Sequence, residues 1–273
     1  MALRYTSPKK RRKAAVALRP VHPNVGIEVE YRRRLKKLID AMQKSVAYHI
    51  ERSYRGNEPE MAQDDRLPAD NLQRAVWKMS EQWLQNFDDA AEKLAKWFAK
   101  AVHKRSDTVL KKILKDGGFS VEFQMTPAMK DVFAASVHEN VSLIKSIPQQ
   151  YLKNVEGDVM RSVAAGRDLA TLTKSLQKNY GVTARRAAFI ARDQNNKVNG
   201  AMQRARQKEL GITKAKWRHS GGGKHPRPTH VANDGKLYDV NKGWFDPHVK
   251  RWIIPGELPN CRCVSIPVIT GFD

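Results

Sequence analysis

Between Val29 and Ile50 the apolar side chains Tyr31, Leu35, Leu38, Ile39, Met42, Val46 and Ile50 recur every three or four residues. That period belongs to one buried face of a helix, and it excludes a strand, whose faces alternate every second residue. A longer run follows, from Leu72 through Val76, Met79, Trp83, Phe87, Ala90, Leu94, Trp97 and Ala101 to Leu110 and Leu114. Residues 56 to 70, polar and carrying Pro59 and Pro68, read as the loop between the two. Asp70 is the expected N-cap of the second helix and Gly117-Gly118 its stop.

Thr126-Pro127 offers a cap followed by proline at the first helical position, and Met129, Phe133, Val137, Val141 and Ile144 carry that helix to Pro148. Shorter helices are expected from Gln150 to Ala165 and from Asp168 to Tyr180 before Gly181. With Thr183 as its cap, a further helix spans Ala184 to Leu210 and is closed by Gly211. Beyond it the helical period is lost. Ala215–Arg218, Lys236–Tyr238 and Val264–Ile266 read as strands in a Trp-, Gly-, Pro- and His-rich texture. The fold expected is mainly α, an elongated helical body with a small α+β C-terminal domain. Its divisions are a flexible basic arm over 1–27, the body over 28–181 and the C-terminal domain over 182–273.

Charge narrows the function. The 273 residues hold 50 Lys and Arg against 28 Asp and Glu, a net of +22. The excess is confined to two blocks. Residues 1 to 37 hold 12 basic and 2 acidic side chains, and residues 161 to 224 hold 15 and 3, whereas residues 38 to 160 are balanced at 17 and 18. Such an imbalance acts on partner choice rather than on fold, and its usual partner is nucleic acid. Lys9, Lys10, Arg11, Arg12 and Lys13 repel one another too strongly to fold compactly, so they read as an arm that orders on a phosphate backbone. Arg32, Arg33 and Arg34, with Lys36 and Lys37, extend that block. Arg185, Arg186, Arg204, Arg206 and Lys208 would form a more rigid basic surface. No known DNA-reading module is present, so contact with double-stranded DNA is expected to ignore sequence. No stretch reaches the roughly 20 apolar residues of a membrane-spanning helix, and the basic N-terminus lacks the apolar core of a secretory signal. Reduced, cytoplasmic assembly is the expectation.

Three constellations carry chemistry. Arg192, Asn196, Asn199 and Gln203 share a helix face. They form either a hydrogen-bonded clamp on the C-terminal cap or a solvated surface. Cys261 and Cys263 are too close for ordinary disulfide geometry, but with His230 they are suitable zinc ligands, and His219 or His225 would complete a tetrahedron; small packed cysteines are the bland alternative. Cys261 with His230 would also serve as nucleophile and base, and His225, His230 and Asp234 as a metal-dependent nuclease centre. Gly221-Gly222-Gly223-Lys224 lacks the glycine spacing and following hydroxyl residue of a phosphate-cradling loop and reads as a hinge.

Arg186-Ala187, Ala191-Arg192-Asp193-Gln194, Asn199, Ala201, Gly211, Trp217, Arg227-Pro228-Thr229-His230, Asp234-Gly235-Lys236 and Pro259-Asn260-Cys261-Arg262-Cys263 together resemble the C-terminal domain of phage Mu F-like minor head proteins. The resemblance covers about the last 90 residues. It departs where many relatives have Thr-Glu in place of Asp193-Gln194 and a Cys-Pro-x-Cys pair in place of Arg227-Pro228-Thr229-His230. It implies a non-enzymatic virion component of the phage head, made in the host cytoplasm, with the portal or major capsid protein and packaged DNA as partners. It implies no cofactor; zinc is suggested by Cys261, Cys263 and His230 themselves, and the missing Cys-Pro-x-Cys pair tells against it.

Overall fold

The computed structural model describes residues 4–5, 15–55, 68–165, 168–223 and 225–270. The basic cluster Lys9 to Lys13 lies outside them. The fold is mainly α, with short antiparallel strands concentrated near the C-terminus. The helices are α1 (Val25–Arg55), α2 (Pro68–Asp116), α3 (Pro127–Ala164), α4 (Leu169–Glu209) and the single-turn α5 (Pro228–Ala232). The strands are β1 (Arg4–Tyr5), β2 (Val16–Ala17), β3 (Phe119–Ser120), β4 (Lys214–Arg218), β5 (Leu237–Asp239), β6 (Trp244–Asp246), β7 (Arg251–Ile253) and β8 (Val264–Ile269).

Caps explain most of the boundaries. Asn24 Oδ1 accepts the backbone N–H of Ile27, so α1 begins ahead of the periodic run that marks it. Thr126 Oγ1 accepts from Met129 N and leads into Pro127 as expected. Asp70, the expected cap of α2, lies inside that helix instead, because Pro68 takes its first position. At the end of α4, Ile212 N bonds to Gln207 O and Gly211 N to Lys208 O, with Gly211 at φ +71°. This is a Schellman ending, and it needs the left-handed residue that glycine supplies without penalty.

Two expected breaks are absent. Helix α3 runs through Pro148, although the ring removes one hydrogen bond and costs about 3 kcal/mol in a free helix. Ile144, Ile147, Tyr151, Leu152 and Val155 are all buried on either side of it, and that packing overrides the local penalty. Helix α4 likewise continues through Gly181. Thr183 does not cap a new helix; its hydroxyl donates to the carbonyl of Asn179 one turn back. Asp168 is the cap in use, with Oδ1 accepting from Thr171 N.

The chain divides into two compact units, and the divisions fall inside α1, α2, α3 and α4. One unit comprises Val29–Lys96 and His138–Ala191, and its described secondary structure is all helix. Its interior takes the α1 face Tyr31, Leu35, Ile39, Met42, Val46 and Ile50, with Leu72, Val76, Met79 and Phe87 of α2. Hydrogen bonds from Tyr31 to Asn140 (3.0 Å) and from Tyr54 to Ser162 (2.8 Å) join α1 to α3.

The other unit comprises Met1–Glu28, Trp97–Val137 and Arg192–Asp273. Its main sheet is antiparallel in the order β2-β8-β4-β5, and β1-β3 and β6-β7 form separate two-stranded pairs. Strand β2 adds to the edge of β8 through Val16↔Ile269 and Ala17↔Val268, while Leu18 and Val21 are buried. Residues 15–27, expected as part of a flexible arm, are therefore built into this unit, because their apolar side chains find a core to enter. A second core surrounds Trp217, the largest fully buried side chain, with Ala215, Tyr238, Val240, Ile253, Leu258, Cys261 and Cys263.

Candidate functional site

The Trp217 core places His230 between Cys261 and Cys263. Residues 261 to 263 are buried, exposed, buried, as alternation in an extended chain requires, so both thiols face inward and Arg262 faces out. Helix α5, opened by Pro228, delivers His230 from the other side. His230 Nδ1 is 3.5 Å from Cys261 Sγ and 3.6 Å from Cys263 Sγ. Its Nε2 is 3.3 Å from Oδ2 of Asp246, whose side chain is 0% exposed. Asp246 is itself fixed by the hydroxyl of Thr229 on Oδ2 and by His248 N on Oδ1. The Trp217 ring packs edge-on to the imidazole, with centroids 5.1 Å apart.

The two thiols split electrostatically. A hydrogen bond with Cys263, and then one with His230, hold the Cys261 thiol well below the usual range in spite of its burial. The same interaction with Cys261, together with burial, pushes Cys263 up. One sulfur thus carries negative charge easily while its neighbour resists a second.

The cluster opens onto a cavity of about 680 Å³ whose lining includes Arg192, His219, His225, Arg227 and Arg262 and, among the described residues, no carboxylate. Two of the arginines are held in place: Arg192 donates to Asn260 Oδ1 (3.0 Å) and Arg227 to Pro259 O (2.9 Å). Sequence reading named several of these arginines and histidines singly but missed their convergence, because they come from α4, the glycine-rich segment, the residue before α5 and the stretch before β8.

Helix α4 resolves the choice between clamp and solvated face. Asn195 Nδ2 donates to Asn24 O and Asn199 Nδ2 to Val21 O, both at 3.1 Å, and Gln203 Nε2 donates to Ser106 Oγ. Asp193 Oδ1 accepts from Asn260 N at 2.7 Å and Gln207 Oε1 from Ser265 Oγ at 3.1 Å. Asp193, Gln194, Asn195, Asn196, Asn199, Gln203 and Gln207 are all buried. The polar run is buried rather than solvated: Arg192, Asp193 and Gln207 reach the C-terminal cap, whereas Asn199 and Gln203, expected to do so, hold the segment before α1 and helix α2 instead.

The expected phosphate-binding side chains are not equivalent. Arg32, Arg33 and Arg34 are exposed on α1, but Arg33 and Arg34 both donate to Glu30, whose carboxyl these bonds hold down at about 2. Arg185 and Lys208 are exposed. Arg186 is tied to Ser146 O (3.0 Å) and Gln150 Oε1 (2.7 Å), and Arg204 to the carbonyls of Val240 and Asn241. Arg206 corrects the sequence reading outright: it is 1% exposed, with its guanidinium paired to Asp107 (2.6 Å) and Glu209 (2.8 Å). Its charge balances those carboxylates and is closed to a phosphate. The rigid basic surface expected from these positions is thus reduced to its exposed members.

The nuclease arrangement does not form among the described residues. His230 groups with the two cysteines, while Asp234 accepts from His219 N (2.9 Å) and Arg218 Nη1 (3.3 Å) and closes the turn after β4. His225 is exposed on the cavity wall.

The buried polar run of α4, the His230 cluster and the strands behind it lie in one continuous stretch of sequence, and known proteins share that stretch. Residues 153–266 match the family model of phage Mu protein F like proteins. The Mu F-like segment begins inside α3, upstream of the boundary at 182 expected from the sequence, and ends within β8. An uncharacterized protein of Haemophilus influenzae is 30% identical over 269 residues, which cover 96% of this chain and 57% of that one. An NAD(+)--arginine ADP-ribosyltransferase of Enterococcus faecalis, EFV, is 27% identical over 130 residues, covering 44% of this chain and 26% of its own length. The chain thus spans just over half of the first relative and about a quarter of the second. No solved structure gives a significant match. The Mu F-like family is one of phage head morphogenesis.

Proposed function

We propose that this chain is a minor head protein of a tailed phage, which docks on the portal or inner capsid and contacts packaged DNA, aiding head assembly and DNA packaging or ejection. The match of residues 153–266 to phage Mu protein F like proteins carries this reading and supports a role in the virion. The net charge of +22 supports the DNA interaction, since a protein inside a filled head meets phosphodiesters on every side. Lys9 to Lys13, Arg32, Arg185 and Arg262 are the side chains proposed to meet them. The mechanism is neutralisation and positioning: each neutralised phosphate releases condensed counterions and carries no base information. No described helix is long and apolar enough to cross a membrane.

Quantitative mass spectrometry of intact and precursor particles tests the assignment, and absence from both overturns it. For the DNA interaction, neutralising Lys9 to Lys13 should flatten the slope of log affinity against log salt by about 0.9 for each phosphate that is no longer engaged. An unchanged slope removes that cluster from the interface.

A further inference from the structure

We propose that Cys261 Sγ, Cys263 Sγ and His230 Nδ1 bind one zinc ion, with its fourth position open to the arginine-lined cavity. The three ligand atoms lie within 4.8 Å of one another and all three residues are buried. In a tetrahedral site with Zn–S about 2.3 Å and Zn–N about 2.0–2.1 Å, a sulfur and a nitrogen on the same ion stand about 3.5 Å apart. The observed separations of 3.5 and 3.6 Å meet that requirement for both sulfurs at once. Hydrogen bonding does not account for both equally well. A ring nitrogen carries one proton or one lone pair, so Nδ1 hydrogen-bonds one thiol at a time, whereas a metal ion takes all three atoms together.

The surroundings of the imidazole point the same way. A ligating histidine characteristically turns its second nitrogen to a carboxylate, which sets the tautomer and the ring orientation. Asp246 stands there, fully buried and 3.3 Å from Nε2, and is itself held by Thr229 and His248. Two thiolates and an imidazole form a soft, borderline donor set that suits zinc better than magnesium or calcium. Among the described residues the grouped ligands number three, and all three also line the cavity wall, so the remaining coordination position faces water there. Zinc would cross-link α5 to the segment that leads into β8. This inference is independent of the place of the chain in a phage head.

The full-length chain, purified without chelator and dialysed against metal-free buffer, should contain one zinc per molecule by elemental analysis. Cys261→Ser, Cys263→Ser and His230→Ala should each lose it. Asp246→Asn keeps every ligand and should weaken zinc affinity by about 10- to 100-fold in competition with a chromogenic chelator. His225→Ala should retain the zinc, and loss of the metal from that variant overturns the open fourth position. If the ligand variants fail to fold, the wild-type chain still decides. Both thiols should resist alkylation until a chelator is added, and cobalt substitution should give the visible bands of a four-coordinate thiolate site that shift with azide. A metal-free chain that takes up no zinc, alkylation indifferent to chelator, zinc retained after removal of both cysteines, or a different stoichiometric metal would each overturn the proposal.

Discussion

The guanidinium of Arg206 donates to both oxygens of Asp107, to Glu209 and to the carbonyl of Gln124, and it lies 4.6 Å from the Phe123 ring centroid. Taking a charge this far out of water is costly, and the pair network offsets the cost only while it is complete. Arg206→Met should therefore destabilise the chain by about 3 kcal/mol, read as a lower urea midpoint, because two carboxylates lose their counter-charge. The same substitution should leave the salt slope of DNA binding unchanged, which separates it from the exposed arginines. His103 adds a pH dependence. Burial, and then the Arg206 charge, outweigh the attraction of Asp107 and Glu209, so its pKa lies below the ordinary histidine value of 6.5. The unfolded chain takes up the proton first as the pH falls. The contribution of neutral His103 is thus complete above about 6.5 and is lost as the pH drops through that value towards the depressed one. Urea unfolding at pH 8 and pH 5 should show the loss, and His103→Gln should reduce it.

Within α4 two glycines separate propensity from packing. A Cβ at Gly200 would stand 2.7 Å from the carbonyl oxygen of Pro255, a backbone atom that cannot swing aside. At Gly181 the nearest atom would be the flexible end of Arg185, at 3.5 Å. Alanine gains about 1 kcal/mol over glycine inside a helix. Gly181→Ala should therefore stabilise by up to that amount, whereas at Gly200 the clash outweighs the gain and should give a net loss of about 1–2 kcal/mol by thermal or urea unfolding. Sequence periodicity makes the helical faces of α1 and α2 legible, and Gly211 marks the end of α4, because burial repeats along those segments and the turn needs a left-handed residue. Pro148 and Gly181 mislead, since packing on both sides exceeds a local preference that sequence shows by itself. Helix α5 and strands β6 and β7 are too short to display any period. The amide run of α4 is visible as a face, but its partners Val21, Asn24 and Ser106 are remote in sequence, so only the fold settles what it holds.

At the scale of the whole molecule, the excess of +22 is readable from composition, but where it is available is not. Arg206 and Arg204 are consumed by the fold, while the cavity gathers arginines and histidines from four separate segments. Residue type alone suggests the Cys261, Cys263 and His230 grouping, and the turn of α5 supplies the distances that spacing could not. The edge pairing of β2 with β8 has a consequence for how the chain is made. Val16 and Ala17 leave the ribosome long before their neighbours Ile269 and Val268. Completion of this sheet therefore waits for the synthesis of everything between them, and closing so long a loop makes that step slow. Until then Leu18 and Val21 are without their final cover, so a deletion meant to strip the leading cations has to stop short of Val16 or it leaves the last strand with a bare edge.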